Sequence, residues 1–216
     1  MHPYINIHTH NLAPNNGVFL FNNRFRFDDK LFTGKYCSIG IHPWDVHLIK
    51  EAHILEFEQL IQQQNCLAIG ECGLDKVCKS DFRQQKHFLD LQLQLAVKYN
   101  KPVIIHCVKA YDELLGICKQ YQGKIPLIIH GFNKTNELAK QLIAKGFYLS
   151  VSSPFILKNN LAELPLEKLF FETDDKEQLS ITEVYNQAEK KLSLNKDILK
   201  EKIYSNFATL FKADLK

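Results

Sequence analysis

The sequence predicts an α/β fold, a compact (β/α)8 TIM barrel, on three observations. Short apolar runs recur eight times along the 216 residues. Most of these runs are near-continuous in apolar residues, the pattern of strands buried on both faces. Segments of helical periodicity lie between them, and strand alternating with helix predicts a parallel sheet that eight repeats can close.

The runs are Tyr4–His8, Val18–Asn22, Ser38–His42, Leu67–Glu71, Val103–His106, Leu127–His130, Tyr148–Val151 and Leu169–Thr173. About nine residues, Thr9 to Gly17, separate the first two. A parallel crossover needs roughly a dozen or more. The expectation there is a distortion: either an antiparallel second run or a barrel without its first helix. Residues 80–99 place Phe88, Leu91 and Leu95, and Leu89, Leu93 and Ala96, at helical spacings, with Ser80 and Asp81 as caps. Ser180-Ile181-Thr182-Glu183 has the form of a capping box, and 181–211 leaves room for one or two closing helices. The length predicts one domain over 1–216, near the lower size limit for this architecture.

Hydrophobic content of 45% and charged content of 24% exclude a disordered chain, a collagen and a coiled coil. A net charge of +3 suits an anionic substrate without resembling a polybasic tail. No apolar run approaches the ~18 residues of a membrane helix. The opening MHPYINIHTH lacks the plan of a signal peptide. Six cysteines without a CxxC pair read as reduced thiols in a cytoplasmic protein. No motif points to a protein partner or a membrane.

The chemistry sits where runs end. His8 and His10 close the first, Glu71 the fourth, His106 the fifth and His130 the sixth; Asp174 follows the eighth. Barrel active sites form at the C-terminal ends of strands, so these residues are expected at one mouth. The i, i+2 spacing of His8 and His10 puts both imidazoles on one strand face. Neutral imidazoles bind borderline divalent metals, and a carboxylate such as Glu71 can bridge two ions. Four histidines and two carboxylates suit a metal pair about 3.5–4 Å apart, the arrangement for phosphoester and amide hydrolysis. Each residue alone has a bland reading, as a structural histidine, a helix cap or an ion-pair member. Their coincidence at strand ends favours a metal site.

The motifs INIHTHNL, SIGIHPWD, AIGECGLD, KPVIIHC, PLIIHGF, GFYLSVS, LFFETDD and SNFATLF follow in this order. Together they resemble the TatD family of metal-dependent deoxyribonucleases, over about residues 4–211. The resemblance implies a two-metal centre, with one ion near His8, His10, Glu71 and Asp174 and the other near Glu71, His106 and His130. It implies divalent cations such as Mg, Mn or Zn, and hydrolysis of DNA by an activated water with Asp174 as general base and Glu71 as bridge. Three departures stand out. Asn6 replaces the family's usual Asp, Lys76 follows GLD where Tyr is common, and no Pro and only a short insert follow Glu172-Thr173-Asp174. The short insert weakens the DNA assignment and leaves the metal assignment intact.

His42, in the family's GxHP motif, and Lys109, past the fifth strand, are candidate substrate contacts that orient a phosphate. For each, a structural or solvated role is the competing reading. Lys134 is a weaker candidate of the same kind. Asp75 is expected to fix a loop or a ligand histidine. Cys72 and Cys107 are expected to pack outward, and His2, His47, His53 and His87 to lie on the surface. Phe19, Phe21, Phe25, Phe27 and Phe32 read as core before they read as a base-stacking platform. Two other readings stand beside the nuclease. One is a hydrolase of the same barrel acting on a small phosphoester, amide or lactone. The other is a metal-holding barrel that binds with little turnover.

Overall fold

The structure is a computed structural model that describes residues 2–11, 17–25 and 36–213. Phe27 and Phe32 lie outside the described residues, as do residues 12–16 of the first connection. The strands are β1 (Ile5–Thr9), β2 (Val18–Arg24), β3 (Cys37–Gly40), β4 (Cys66–Asp75), β5 (Val103–Val108), β6 (Leu127–Ile129), β7 (Tyr148–Val151) and β8 (Leu169–Phe171). Their sheet order is their sequence order, the topology of a (β/α)8 barrel. The α-helices among the described residues are α1 (Ile54–Ile61), α2 (Phe82–Tyr99), α3 (Tyr111–Cys118), α4 (Asn136–Ala144), α5 (Ser153–Lys158), α6 (Ile181–Leu192) and α7 (Lys196–Phe211). The chain divides into two compact units, Met1–Phe21 with Ile129–Lys216, and Asn22–Ile128.

In the first unit β1 pairs parallel with β2, so the antiparallel alternative fails. Gly17 is the physical reason. Its φ of +130° and lack of a Cβ let the chain pass the Tyr4 carbonyl, which accepts the Val18 N–H at 2.8 Å. The β1–β2 ladder carries a register shift between Asn6 and Thr9, while residues 12–16 of the connection, the place of the expected missing first helix, lie outside the described residues. β7 pairs parallel with β8, and Thr9 of β1 forms a parallel bridge with Asp174, just beyond β8. The core of this unit is aromatic. Phe207 stacks on Phe211 at 4.5 Å, Phe171 meets Tyr185 edge-on at 4.8 Å, and Phe132 lies 5.4 Å from Phe155. Ser180 caps α6 by accepting the Glu183 N–H at 3.2 Å. The tail supplies two helices, α6 and α7.

In the second unit β3, β4 and β5 pair parallel. Asp81 caps α2 by accepting the Gln84 N–H at 2.8 Å, and the apolar face of α2 buries Phe88, Leu89, Leu93 and Ala96. Two glutamines share that face, seven residues apart. Gln92 accepts the Ile41 N–H at 2.7 Å and donates to the Ile41 carbonyl at 3.1 Å. Gln85 does the same for Asp75, at 2.8 and 3.1 Å. The helix thus bonds the backbone of Ile41 and Asp75, and fixes the residues that follow Gly40 and close β4. Phe25 and Phe21 are core residues, Phe25 packing 5.3 Å from Phe57, while Phe19 is half-buried.

Candidate metal centre

The first unit gathers three histidines and two carboxylates. His8 is fully buried on β1, and the His10 ring lies edge-on to it at 5.2 Å. Asp174 is fixed between them by backbone bonds: its N–H donates to the His8 carbonyl at 3.1 Å, and its carbonyl accepts the His10 N–H at 3.1 Å. Its φ of +54° turns the chain out of β8. Asp174 Oδ1 lies 3.5 Å from His8 Nε2 and 3.6 Å from His10 Nε2. Ligand atoms bound at ~2.1 Å to one ion lie about 3.0–3.4 Å apart, so these separations sit close to a coordination shell. Asn6 ties β1 to the end of β8. Its Nδ2–H donates to Thr173 Oγ1 at 2.8 Å, and its Oδ1 accepts the Thr173 N–H at 3.3 Å.

The His130 ring packs on His8 at 4.1 Å. Its Nδ1 lies 3.6 Å from Glu172 Oε1, which accepts the Gly131 N–H at 2.7 Å. Glu172 is fully buried, and its Oε2 has no hydrogen-bond partner among the described residues. A buried carboxylate oxygen left in this state is costly unless a cation or proton meets it. Two groups here bring ligand atoms within 4.8 Å of one another: His8–His10–Asp174 and His130–Glu172–Asp174. Three imidazoles, two carboxylates and an unsatisfied buried oxygen fit a borderline divalent cation. A cavity of about 100 Å³ opens against Glu172 and Asp174, walled by Phe132 and Phe155, with Lys176 at its edge.

The second unit gathers His42, Glu71 and His106, again with ligand atoms within 4.8 Å. Glu71 Oε1 lies 2.6 Å from His106 Nδ1 and 3.1 Å from His42 Nε2. Asn22 holds the glutamate from both ends, donating to Oε2 at 3.1 Å and accepting the Glu71 N–H at 3.0 Å. His42 Nδ1 accepts the Trp44 N–H at 3.1 Å, so Nε2 carries the proton of the neutral ring and donates it toward Glu71. Burial pushes the His42 imidazole below its ordinary value, against the pull of Glu71. Asp75 Oδ2 lies 3.4 Å from His106 Nε2 and accepts the Trp44 indole N–H at 2.7 Å, while Oδ1 accepts the Val77 N–H at 2.7 Å. Burial raises this carboxyl, but the bonds from Trp44, Val77 and His106 outweigh it and leave Asp75 below the usual carboxylate range.

His8, His10, His130 and Asp174 therefore come together in one unit, and Glu71 and His106 in the other. His42, expected at the substrate, is buried against Glu71. Lys109 is exposed just past β5 with a φ of +53°, and Lys134 is exposed after β6. Asp75 braces the loop after β4, as Val77 and Cys78 both donate to it. Cys72 is fully buried, its thiol pushed well up by burial and by nearby Cys118; Cys107 is half-buried. His2, His47 and His87 are exposed and His53 is half-buried. Sequence reasoning missed Glu172, Trp44, Asn22, Gln85 and Gln92. Glu172 stood in the quoted FFETDD motif at a strand end, the same signal that found Asp174.

Eight parallel strands in sequence order, with histidines and carboxylates collected near strand ends, define the class of parallel βα barrels whose sites lie at the strand ends. The family profile described as TatD related DNase matches residues 21–212, and the chain belongs to the TatD family. The protein named 3'-5' ssDNA/RNA exonuclease TatD from Edwardsiella piscicida is 28% identical over 148 residues, 64% of this chain and 57% of its own length. A protein from Haemophilus influenzae named as an uncharacterized metal-dependent hydrolase is 30% identical over 162 residues, 67% of this chain and 60% of its own length. The chain thus spans less than two thirds of the length of these relatives. The crystal structure of YjjV, a TatD homologue from Escherichia coli K12, superposes with a TM-score of 0.79 at 20% identity, covering 98% of both chains, and has the same fold.

Proposed function

We propose that the protein is a divalent-metal-dependent hydrolase that cleaves phosphodiester bonds of single-stranded DNA. The observation that carries this reading is the His8–His10–Asp174 group beside the buried, unsatisfied Glu172 Oε2. The printed name of the Edwardsiella relative supports a single-stranded nucleic acid as substrate. In this reading His8, His10 and Asp174 hold one ion, and His130 joins the ligand set with Glu172 behind it. Glu71 and His106 belong to the set of a second ion, with Mg, Mn and Zn as the candidate metals. A divalent ion, when bound, polarises the phosphoryl oxygen and brings its water close to a neutral pKa.

The chain's own groups then have separate tasks. The Asp174 carboxylate accepts the proton of the attacking water as general base. Asn6 and the Thr9–Asp174 bridge hold that carboxylate toward the two imidazoles. Asn22 and His42 fix the rotamer of Glu71. Lys109, exposed past β5, supplies positive charge for a phosphate oxygen. The new P–O bond forms from the water oxygen, and the opposite ester bond breaks to release an alcohol. Six free cysteines suit a reducing, cytoplasmic setting.

A second reading keeps the metals and changes the substrate to a small phosphoester. The cavity of about 100 Å³ against Glu172 and Asp174, edged by Lys176, favours it. The test uses metal-stripped protein, a labelled single-stranded oligonucleotide, and Mg, Mn or Zn added back. Metal-dependent shortening by the parent, with loss of about two orders of magnitude or more in Asp174→Asn, supports the nuclease. An intact oligonucleotide with every metal, in protein that binds metal, overturns it. Turnover of small phosphoesters in that case selects the second reading.

A further inference from the structure

Trp44 is the only tryptophan of the chain, and it stays 48% exposed although it is among the residues most able to gain from burial. It is nonetheless fixed. Its backbone N–H donates to His42 Nδ1 at 3.1 Å, and its carbonyl accepts the Ser80 hydroxyl at 2.9 Å. Its indole N–H donates to Asp75 Oδ2 at 2.7 Å. The Arg24 guanidinium lies 5.3 Å from the ring centroid and is itself held by Asp45 Oδ2, with Nε at 2.7 Å and Nη2 at 2.5 Å. The His42 ring stands edge-on to the indole at 4.9 Å, and that of His106 at 6.3 Å. A half-exposed indole is thus held by three hydrogen bonds next to the His42–Glu71–His106 group, with the Arg24 guanidinium over its ring.

Each restraint sets Trp44 apart from an incidental surface aromatic. A ring already held at both its backbone and its N–H loses little freedom when a flat ligand lies on it. The guanidinium polarises the π system and binds by the same face-on geometry that a base uses. A single oxygen, Asp75 Oδ2, accepts the indole N–H and faces His106 Nε2, which ties the ring's position to that of His106. Any base offers a π face once it leaves a duplex, and within a duplex both its faces are covered by neighbours.

We propose that Trp44 is a stacking platform for an unpaired nucleobase, seating a single-stranded nucleic acid beside the His42–Glu71–His106 group. The proposal rests on the nucleic-acid reading of the site. It assigns Trp44 to substrate selection: single strands and frayed ends bind, intact duplex does not, and base identity matters little.

The lone indole makes the test direct, because indole emission reports this position alone. A short oligothymidylate is added to metal-stripped full-length protein, in parallel with an abasic oligonucleotide of equal length and charge. Quenching by oligothymidylate and not by the abasic strand supports the platform. Equal quenching by both, or none by either, overturns it. A second measurement compares kcat/KM for the oligonucleotide with that for methyl p-nitrophenyl phosphate, which carries no base. The ratio is expected to fall about tenfold in Trp44→Ala and less than about threefold in Trp44→Phe, which keeps a stacking ring and loses the bond to Asp75. An unchanged ratio in Trp44→Ala overturns the proposal. Cleavage without selective quenching removes the platform and leaves the nuclease standing. Selective quenching without cleavage does the reverse.

Discussion

Replacing Gly73 by alanine tests whether the spacing of β4 and β5 sets the geometry at Glu71 and His106. Gly73 pairs directly with His106 across the sheet and has a φ of +149°. A methyl group built there meets the His106 carbonyl oxygen at 2.0 Å, where real contacts begin near 3.0 Å, so one strand must move by about 1 Å. The φ value itself costs an alanine about 1–3 kcal/mol. Forcing the strands apart costs about 1–3 kcal/mol more. The sum, about 2–6 kcal/mol, corresponds to a melting temperature lower by roughly 4–24 °C in a domain of this size. The same displacement moves His106, whose Nδ1 stands 2.6 Å from Glu71 Oε1. In the metal-centre reading His106 is a ligand, and a shift of ~1 Å there is expected to weaken metal binding. Thermal unfolding and calorimetric metal titration of the purified variant measure both effects. Gly116→Ala is the control, since its methyl meets nothing within 4 Å on α3 and is expected to stabilise by about 0.5–1 kcal/mol. A Gly73→Ala protein that melts within about 2 °C of the parent and binds metal unchanged refutes the reasoning.

Two further outcomes follow from single interactions. Tyr185 is fully buried on α6; its hydroxyl donates to the Ile5 carbonyl at 3.2 Å and accepts the Ile5 N–H at 3.1 Å, so Tyr185→Phe strands two backbone groups of β1 and is expected to lower unfolding free energy by about 2–4 kcal/mol in urea. Glu58 accepts from Lys98 Nζ at 2.6 Å and Tyr99 Oη at 2.7 Å, and the Lys98 bond holds its carboxyl below the usual range. A carboxyl lowered in the folded state stabilises above its unfolded pKa and loses that contribution as pH falls through the folded one. The stability difference between parent and Glu58→Gln is therefore present at neutral pH and disappears in acid, as urea midpoints across that range will report.

The eight strands were legible because most of the runs are near-continuous in apolar residues, and the helices between them because caps such as Asp81 and Ser180 precede their periodic faces. The clustered histidines were legible because they interrupt that pattern where strands end. What escaped notice depends on partners distant in sequence. Gln85 and Gln92 are polar residues on an apolar helical face, and only the backbone groups of Asp75 and Ile41 explain them. Glu172 stands one residue from Thr173 and two from Asp174, and nothing local says which carboxylate turns inward. β4 runs on past Glu71 to Asp75 because Gly73 lets β5 approach, a fact visible only across the ladder. Trp44 stands in the SIGIHPWD motif with no local signal of its role, which only Arg24 and Asp75 around it supply.

The bridge between Thr9 and Asp174 joins groups 165 residues apart in the chain. During synthesis at roughly 5–20 residues per second, about 10–30 s therefore separate the emergence of the first histidine pair from that of the carboxylate set between them. Throughout that interval the nascent chain carries histidines without their anionic counterpart, and it can hold a cation there only weakly. If this group holds the proposed ion, its capture is a late event that accompanies docking of the eighth strand on the first. A ribosome-bound chain stopped before residue 172 lacks both Glu172 and Asp174, the two carboxylates of the proposed centre.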